Sequence, residues 1–345
     1  DYPTFTLGGP VLLPKTKFNR DRNRLFFFFA TEWLPRKSPT ALVQRTFPTA
    51  LERQGDFSQS FDTNRRLIPV NDPVTRLPFP GNIIPAGRID RNGQGLLNVF
   101  PLPNASDPNY VYNALVQDTI NVPRTQQILR LDLNVTSKTT FFARGIYGVE
   151  KNEGPFQTTL GSGSWPQFDV SFLTRRKAIS SSLIHAFSPT LVNEFTFGVN
   201  YLLAQNSARS QETLDRNNRA KLGLNIPQFN PHINPQNMLP QATFNGLSNP
   251  ANLSIEQRWP YSGAFYIWSF SDNLTKVWGS HNFKTGIYVE HNINDKVVTV
   301  GFNGSFDFGR NVNNPLDTNH PYANALLGSV NSYSCLLYTS DAADE

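Results

Sequence analysis

The chain has 345 residues, a formal net charge of +5 and a mean hydropathy of −0.38. It contains 27 phenylalanines but only one cysteine, so no disulfide framework holds it together. No run approaches the roughly 18 apolar residues of a membrane-spanning helix. Its lysines and arginines are scattered, with only short pairs such as Arg65–Arg66, so we expect no nucleic-acid partner.

Residues 24–34, RLFFFFATEWL, hold four adjacent phenylalanines, Phe26 to Phe29. A helix packed on a core spaces its apolar residues three or four apart, and a strand of a soluble sheet spaces them two apart. Alternation in a strand sends Phe27 and Phe29 to one face and Phe26 and Phe28 to the other. The segment therefore predicts a strand with an apolar neighbour on both faces.

Period-two alternation, which is typical of strands, is clearest at 126–135 and 139–149. Between these segments lies the short turn Thr136-Ser137-Lys138, so the two segments predict a hairpin. The residues expected on its apolar face are Leu129, Leu131, Leu133, Val135, Phe141, Ala143, Tyr147 and Val149.

Two more hairpins and a last strand follow the same pattern. The first pairs 172–187 with 191–203, and the second pairs 262–276 with 282–293. The residues expected on the apolar faces of their second arms are Leu191, Phe195, Phe197, Val199, Tyr201, Leu203, Phe283, Ile287, Val289 and Ile293. The further strand, 297–308, should place Val298, Val300, Phe302, Phe306 and Phe308 on one side.

Short turns alternate with very long connections, at 35–125, 150–171 and 204–261. Connections of that length are rare in compact domains, whereas outer-membrane barrels have short periplasmic turns and long extracellular loops. A sheet in lipid must close because no backbone group can stay unpaired there. We therefore predict an all-β fold, an antiparallel up-and-down transmembrane β-barrel whose long extracellular loops carry short helices.

Three short helices are expected within these connections and near the end of the chain, at 48–58, 90–99 and 320–330. Gly55 should close the first helix, and Pro101 should stop the second.

The sequence contains no convincing catalytic or cofactor motif. The five histidines, at 185, 232, 281, 291 and 320, lack metal-ligand spacing, and no phosphate-binding loop or nucleophile elbow is present. We therefore expect no enzyme activity, no catalytic or metal site and no cofactor. The aromatic residues Trp259, Tyr261, Tyr266 and Trp268 could stack on a sugar, but they fit an interfacial aromatic girdle better.

Several stretches, taken in order, resemble the Oar-like TonB-dependent outer-membrane transporters. The match extends over essentially the whole segment up to residue 334 and is specific as an ordered set, although each stretch alone would be weak evidence. The stretches are TFTLGGPV (4–11), RLFFFFATEW (24–33), FPTALERQGDFS (47–58), LPFPGNIIPAGRIDRNGQGLLNVFPLPN (77–104), FSPTLVNEFTFG (187–198), GSHNFKTGIYVEHN (279–292) and ANALLGSVNSYS (323–334).

The resemblance implies a barrel of 22 strands, closed by an N-terminal plug domain and energised by the TonB complex of the inner membrane. Residues 1–334 would then be a partial barrel domain with about 8–10 of these strands. The expected partners are outer-membrane lipid, the plug domain, the TonB complex acting through absent N-terminal regions, and a small-molecule, peptide or oligosaccharide substrate. The expected location is the outer membrane of a Gram-negative-type bacterium.

The resemblance implies transport by energy-coupled gating after substrate binds the extracellular loops. The tips of 35–125 and 204–261 are the candidate contact regions by position alone, and no individual substrate-binding residue is predicted. The alternative is a surface β-protein without transport, such as an adhesin or a carbohydrate-binding module. Outward exposure of residues such as Leu131 and Phe197 would favour the membrane protein, whereas burial in a protein core would exclude it.

The last residues, 335–345, read CLLYTSDAADE and continue no upstream pattern. They resemble the translation of a sequencing-library adapter, so we expect a non-native tail that follows the barrel segment.

Overall fold

The computed structural model describes residues 2–156, 163–255, 259–297 and 301–335. Its strands are β1 (Thr4–Pro10), β2 (Leu25–Leu34), β3 (Lys37–Pro39), β4 (Val43–Arg45), β5 (Ala114–Val116), β6 (Thr119–Asn121), β7 (Arg124–Thr136), β8 (Thr139–Gly154), β9 (Val170–Ser188), β10 (Leu191–Ala208), β11 (Gln241–Thr243), β12 (Ser262–Trp278), β13 (His281–Val297), β14 (Ser305–Asp307) and β15 (Ser332–Ser334). Its α-helices are α1 (Arg91–Asn98), α2 (Gln211–Arg216) and α3 (Pro321–Leu326). Single turns of 3-10 helix lie at Glu52–Gln54, Pro80–Asn82, Ala86–Arg88 and Pro231–Ile233.

Eight strands form one antiparallel sheet in the order β1-β2-β7-β8-β9-β10-β12-β13, with β3 and β6 attached at its rim. Seven of them, β2, β7, β8, β9, β10, β12 and β13, coincide with segments in which the sequence predicts strands, and β1 lies in the stretch 4–11 that carries the family resemblance. Within the described ranges β1 and β13 do not pair with each other, so closure into a barrel and the final strand number stay predictions. No helix in those ranges is both long and apolar enough to cross a membrane.

The register gathers the predicted apolar residues on one face of this sheet, called the outer face below. One row of paired residues on it reads Phe27, Leu131, Ala143, Ser181, Phe197, Phe270 and Val289. The apolar side chains there are exposed or half-buried rather than packed in a core; Leu129 has 48% and Phe195 42% of its surface accessible, and Phe197 is half-buried. The opposite inner face carries polar residues such as Arg130 and Ser271. The apolar residues thus form an outward band, the arrangement expected of a membrane protein.

The four adjacent phenylalanines divide between the two faces as the alternation predicts. Phe27 and Phe29 lie on the outer face, where they pair with leucines of β7, and Phe26 and Phe28 lie on the inner face. Phe28 is 41% exposed and pairs with Gly8 of β1. A Cβ atom at Gly8 would lie 3.4 Å from the Phe28 ring, so the glycine leaves room for it.

The connections are strongly unequal at the two ends of the sheet. Three hairpins, β7–β8, β9–β10 and β12–β13, each have a two-residue turn at one end of the sheet: Ser137–Lys138, Pro189–Thr190 and Gly279–Ser280. At the same end, residues 11–24 join β1 to β2. Gly279 has a φ of 59°, which a glycine adopts without steric cost. The connections after β2, β8 and β10 are long and lie together at the other end, which confirms the predicted alternation of turn and loop.

These long connections fold together around a buried hydrophobic cluster, which we name the loop core. Of its fully buried members in the described residues, only Val170 belongs to one of the eight sheet strands. Aromatic rings connect distant segments: the ring centroids of Phe47 and Trp165 lie 5.6 Å apart, and those of Phe244 and Tyr322 lie 5.4 Å apart. The hydrophobic core of the molecule thus lies beyond the rim of the sheet.

The two helices α1 and α3, which agree with the predicted segments, contact each other in the loop core. Asp90 caps α1 by accepting a hydrogen bond from the amide of Gly93, at 2.7 Å, and its own amide donates to the carbonyl of Leu326. A Cβ atom at Gly93 would lie 1.8 Å from the carbonyl oxygen of Ala325. The helices can therefore approach this closely only because residue 93 lacks a side chain.

Polar side chains also hold the loop core together. The guanidinium of Arg219 is 3% exposed and donates to the backbone carbonyls of Ile226, Met238 and Asn303, at 2.7–2.9 Å. Burial lowers the pKa of this guanidinium. One side chain thus joins three segments of chain, and it meets the requirement that buried charge be hydrogen-bonded.

The predicted strand at 297–308 is wrong for residues 301–308. Residues 298–300, with Val298 and Val300, lie outside the described residues. Gly301 and Gly304 have φ of 69° and 75°, so the chain turns twice before the three-residue strand β14. This strand pairs with β11 and β15 in a separate sheet. Phe302 and Phe308 are buried in the loop core, and that position explains their apolar character.

Two smaller expectations are corrected. Residues 48–58 form one turn of 3-10 helix, Glu52–Gln54, rather than a longer helix, although Gly55 closes it with a φ of 87° as expected. Trp259 does not belong to an interfacial girdle. It is 2% exposed in the loop core, where its indole nitrogen donates to Gln236 at 2.8 Å. Tyr266 and Trp268 are exposed on the outer face, as a girdle requires.

Candidate functional site

A cleft of about 570 Å³ opens among the long connections, and we name it the loop cleft. Three stretches and one residue of α3's N-terminus line it: parts of 46–68, of 103–113 and of 246–248, together with His320. The first two stretches belong to the connection after β2, and the third belongs to the connection after β10. These are the two connections that the sequence singled out as candidate contact regions.

Tight turns shape the mouth of the loop cleft. The carboxylate of Asp62 accepts hydrogen bonds from the amides of Asn64 and Arg66, and that of Asp107 accepts from the amides of Asn109 and Val111. Such side-chain-to-backbone bonds are why Asp favours turns. Both carboxylates line the cleft and are thereby held in place.

Hydrogen bonds fasten the wall from the first connection to the wall from the second. The hydroxyl of Thr46 donates to the carbonyl of Ser248 at 2.6 Å, and the amide of Thr46 donates to the carbonyl of Asn249. The side-chain amide of Asn249 donates to the carbonyl of Val111 at 3.2 Å. The cleft is therefore a preformed feature shared by connections about 200 residues apart in the chain.

The floor of the cleft holds a buried acid beside a buried histidine. Glu52 accepts hydrogen bonds from the amide of Thr49 at 2.8 Å and from the hydroxyl of Ser60 at 2.7 Å. Its carboxylate oxygen lies 3.6 Å from Nε2 of His320, and Nδ1 of His320 accepts from the amide of Tyr322. That acceptor role requires an unprotonated Nδ1.

Burial sets the protonation of both groups. It raises the pKa of the Glu52 carboxyl, against the opposing hydrogen bonds and the charge of Arg53. It lowers the pKa of His320 from 6.5 to about 3, and the nearby charge of Arg310 acts in the same direction. His320 is therefore neutral at physiological pH, and the pair is not a His⁺–carboxylate salt bridge.

The two shifts act on stability with opposite signs. An unfolded chain protonates His320 before the folded chain does, so this residue costs stability as the pH falls from 6.5 towards 3. The raised pKa of Glu52 means that the folded chain holds its proton more firmly. The stability that Glu52 contributes is fully present below its ordinary pKa of 4.5, and it is lost as the pH rises through the pKa of the folded state.

The lining of the cleft suits a polar ligand with at least one flat or apolar surface. The rings of Phe61 and Tyr110 lie with centroids 5.1 Å apart, and Tyr110 is 43% exposed. Hydroxyl, amide and carboxylate groups surround this pair, and among the described residues no lysine or arginine lines the cleft. The arrangement can bind by stacking and hydrogen bonding, and its negative carboxylates disfavour anionic ligands.

Metal ligands are not gathered here or elsewhere in the described ranges, where no group of three or more His, Cys, Asp or Glu side chains could hold an ion. The two contact connections were predictable from their position in the chain, whereas Phe61, Tyr110 and Asp107 were not predicted. The residues around these three predict turns and loops but no cleft, because the other segments that line the cleft lie far away in the sequence.

An antiparallel sheet with an outward apolar band, a polar inner face, short turns at one end and folded loops at the other is the wall of a membrane β-barrel. A family model described as "Outer membrane beta barrel domain" matches residues 4–344. The chain belongs to this family, and it is located in the bacterial outer membrane. None of the curated proteins and none of the solved structures compared with the chain matches it.

Proposed function

We propose that the chain is part of a TonB-dependent, Oar-like outer-membrane transporter that binds its substrate at the loop cleft and has no enzyme activity. The observation that carries this proposal is the cleft itself. It is built from the two connections expected to contact substrate, at the end of the sheet that outer-membrane barrels turn towards the exterior. The ordered sequence resemblance to Oar-like transporters supports the finer assignment.

Import would begin with substrate binding between Phe61, Tyr110 and the fixed carboxylates. Because the cleft is preformed, binding orders few side chains and loses little entropy. The polar inner face, which carries Arg130, Glu194 and Thr196 among others, would line the passage below. A plug domain and the TonB complex, which the resemblance implies, would close this passage and supply the energy to open it.

Uptake by cells that express the full-length protein tests the proposal. Labelled siderophore-type, peptide and oligosaccharide probes are offered with and without an uncoupler that collapses the proton gradient. We expect one probe class to accumulate, accumulation to stop with the uncoupler, and the double variant Phe61→Ala/Tyr110→Ala to raise the half-saturating concentration about tenfold or more. The variant Leu102→Ala, at an exposed residue outside the cleft, should leave uptake unchanged.

Accumulation that survives the uncoupler would overturn energy coupling and leave a passive pore. Binding of a probe at the cell surface without any accumulation would instead favour an adhesin or a carbohydrate-binding surface protein. The aromatic pair and the surrounding hydroxyl and amide groups would also suit a sugar in that case.

A further inference from the structure

The outer face of the sheet carries a groove of about 630 Å³, on the opposite side of the wall from the passage and apart from the loop cleft. We name it the outer groove. It crosses six neighbouring strands, from β2 to β12. One row of its lining residues consists of Phe29, Leu129, Gly145, Ile179, Val199 and Trp268, which are register partners in that order.

The groove exists because the middle of this row has no side chain. Gly145 lies between Leu129 and Ile179, and a Cβ atom added to it would meet nothing within 4 Å. Its backbone lies outside the positive-φ region that favours glycine. Glycine within a strand weakens it and often marks a close approach by a ligand. At this position neither backbone conformation nor packing within the chain accounts for the residue.

A basic residue lies at the end of the groove nearest the long connections. Lys177 lines the groove one row above Ile179, and its Nζ lies 5.9 Å from the centre of the Tyr201 ring. Arg175 is two residues further along the same face. The Nε atom of Arg175 is buried and has no hydrogen-bond partner among the described residues, and this residue lies beyond the lining of the groove itself. Two acids lie on this part of the face: Glu153 is already paired with Lys151 at 3.1 Å, and Asp295 shares the row of Arg175 but lies three strands away on β13.

This arrangement of charge and apolar surface matches one kind of occupant. Alternating strand residues lie about 7 Å apart, so Lys177 and Arg175 extend from the apolar groove towards the exterior boundary of the membrane. Tyr147, Tyr201 and Tyr266 share the row of Lys177, at the depth where aromatic side chains meet lipid head groups. Cations at that depth attract phosphate, and the depression above Gly145 accepts an acyl chain.

We infer that the outer groove binds an anionic, phosphate-bearing lipid of the surrounding leaflet, with its phosphate on Lys177 and Arg175 and an acyl chain above Gly145. The inference depends on the membrane location of the sheet and is independent of the proposed transport function. A zwitterionic lipid of equal chain length fits the groove equally well but lacks the net charge. The cations should therefore discriminate between the two lipids, whereas the groove should not.

Native mass spectrometry of the detergent-purified full-length protein tests the inference. Phosphatidylglycerol, phosphatidylcholine with the same acyl chains, and inorganic phosphate are added separately at equal concentration. We expect phosphatidylglycerol to be retained about tenfold more than phosphatidylcholine. The double variant Arg175→Gln/Lys177→Gln should abolish this preference, and Gly145→Leu should reduce retention of both lipids.

The matched control is Lys276→Gln, at a lysine on the same outer face but at the short-turn end of the sheet. It should keep the preference for phosphatidylglycerol, and circular dichroism checks that every variant retains its strands. Equal loss in Lys276→Gln and in the double variant would overturn the inference, because any surface cation would then suffice. Unchanged retention in the double variant, or equal binding of inorganic phosphate alone, would overturn it too.

Discussion

Adding one methyl group to α1, in the variant Gly93→Ala, should separate the two helices of the loop core. The new Cβ atom would lie 1.8 Å from the carbonyl oxygen of Ala325 and 2.6 Å from its carbonyl carbon. A carbon–oxygen contact needs about 3.3 Å, so α1 and α3 must move apart by roughly 1.5 Å. Both contacts are with backbone atoms, so no side chain can rotate to relieve the overlap.

The size of the effect follows from two opposing contributions. Overpacking of a buried contact costs about 1–3 kcal/mol, and an overlap of this depth belongs to the upper end. Replacing glycine by alanine inside a helix returns about 1 kcal/mol. The net loss of stability should therefore be about 2 kcal/mol.

Hydrogen–deuterium exchange in the purified protein measures this loss locally. The amides of Asn324 and Leu327, which donate to the carbonyls of His320 and Ala323, report the opening of α3. A loss of 2 kcal/mol makes their exchange about thirtyfold faster. The control is Gly87→Ala, because a Cβ atom there would meet nothing within 4 Å. If both variants exchange at the wild-type rate, the close approach of the helices is refuted.

Three further predictions concern other parts of the molecule. Replacing Arg219 by methionine should destabilise the loop core by about 3 kcal/mol or more, since three buried carbonyls lose their donor. Urea unfolding followed by tryptophan fluorescence measures this loss, and an unchanged unfolding midpoint would contradict the prediction. As the pH falls below 6.5, the loop core should lose up to about 1.4 kcal/mol of stability per pH unit. In melting curves recorded at several pH values, His320→Gln should reduce this dependence of stability on pH. An identical pH dependence in the variant would exclude His320 as the cause. In vesicles, Leu131→Arg on the outer face should destabilise the sheet by about 2–4 kcal/mol, whereas Ile128→Arg on the inner face should destabilise it less. A larger loss of stability in Ile128→Arg would mean that the two faces are assigned wrongly.

The sheet could be predicted because its evidence is local. Alternation at Leu129, Leu131 and Leu133 reports one face of one strand, and each hairpin turn lies within a few residues of the strands it joins. The strand predicted through Phe302 and Phe308 was wrong, because alternation does not indicate the turns at Gly301 and Gly304.

The loop core could not be predicted because its contacts connect distant segments without a periodic signal. The ring of Phe100 packs against Phe244, and Thr46 bonds to Ser248. No pattern within either segment identifies the other. Trp259 illustrates the consequence: its type suits a membrane interface, and only the folded connections show that it is buried.

The loop core also limits how the exterior of this protein can change. A surface made of separate loops can diversify one loop at a time under pressure from phages or antibodies. Here Phe244, in the connection after β10, contacts Phe100 in the connection after β2 and Tyr322 of α3, so exchanging one of these segments removes partners from the others. Variation should concentrate at exposed tips such as Val74 and Val312, and grafting onto another barrel should succeed only when the connections are transplanted as a set.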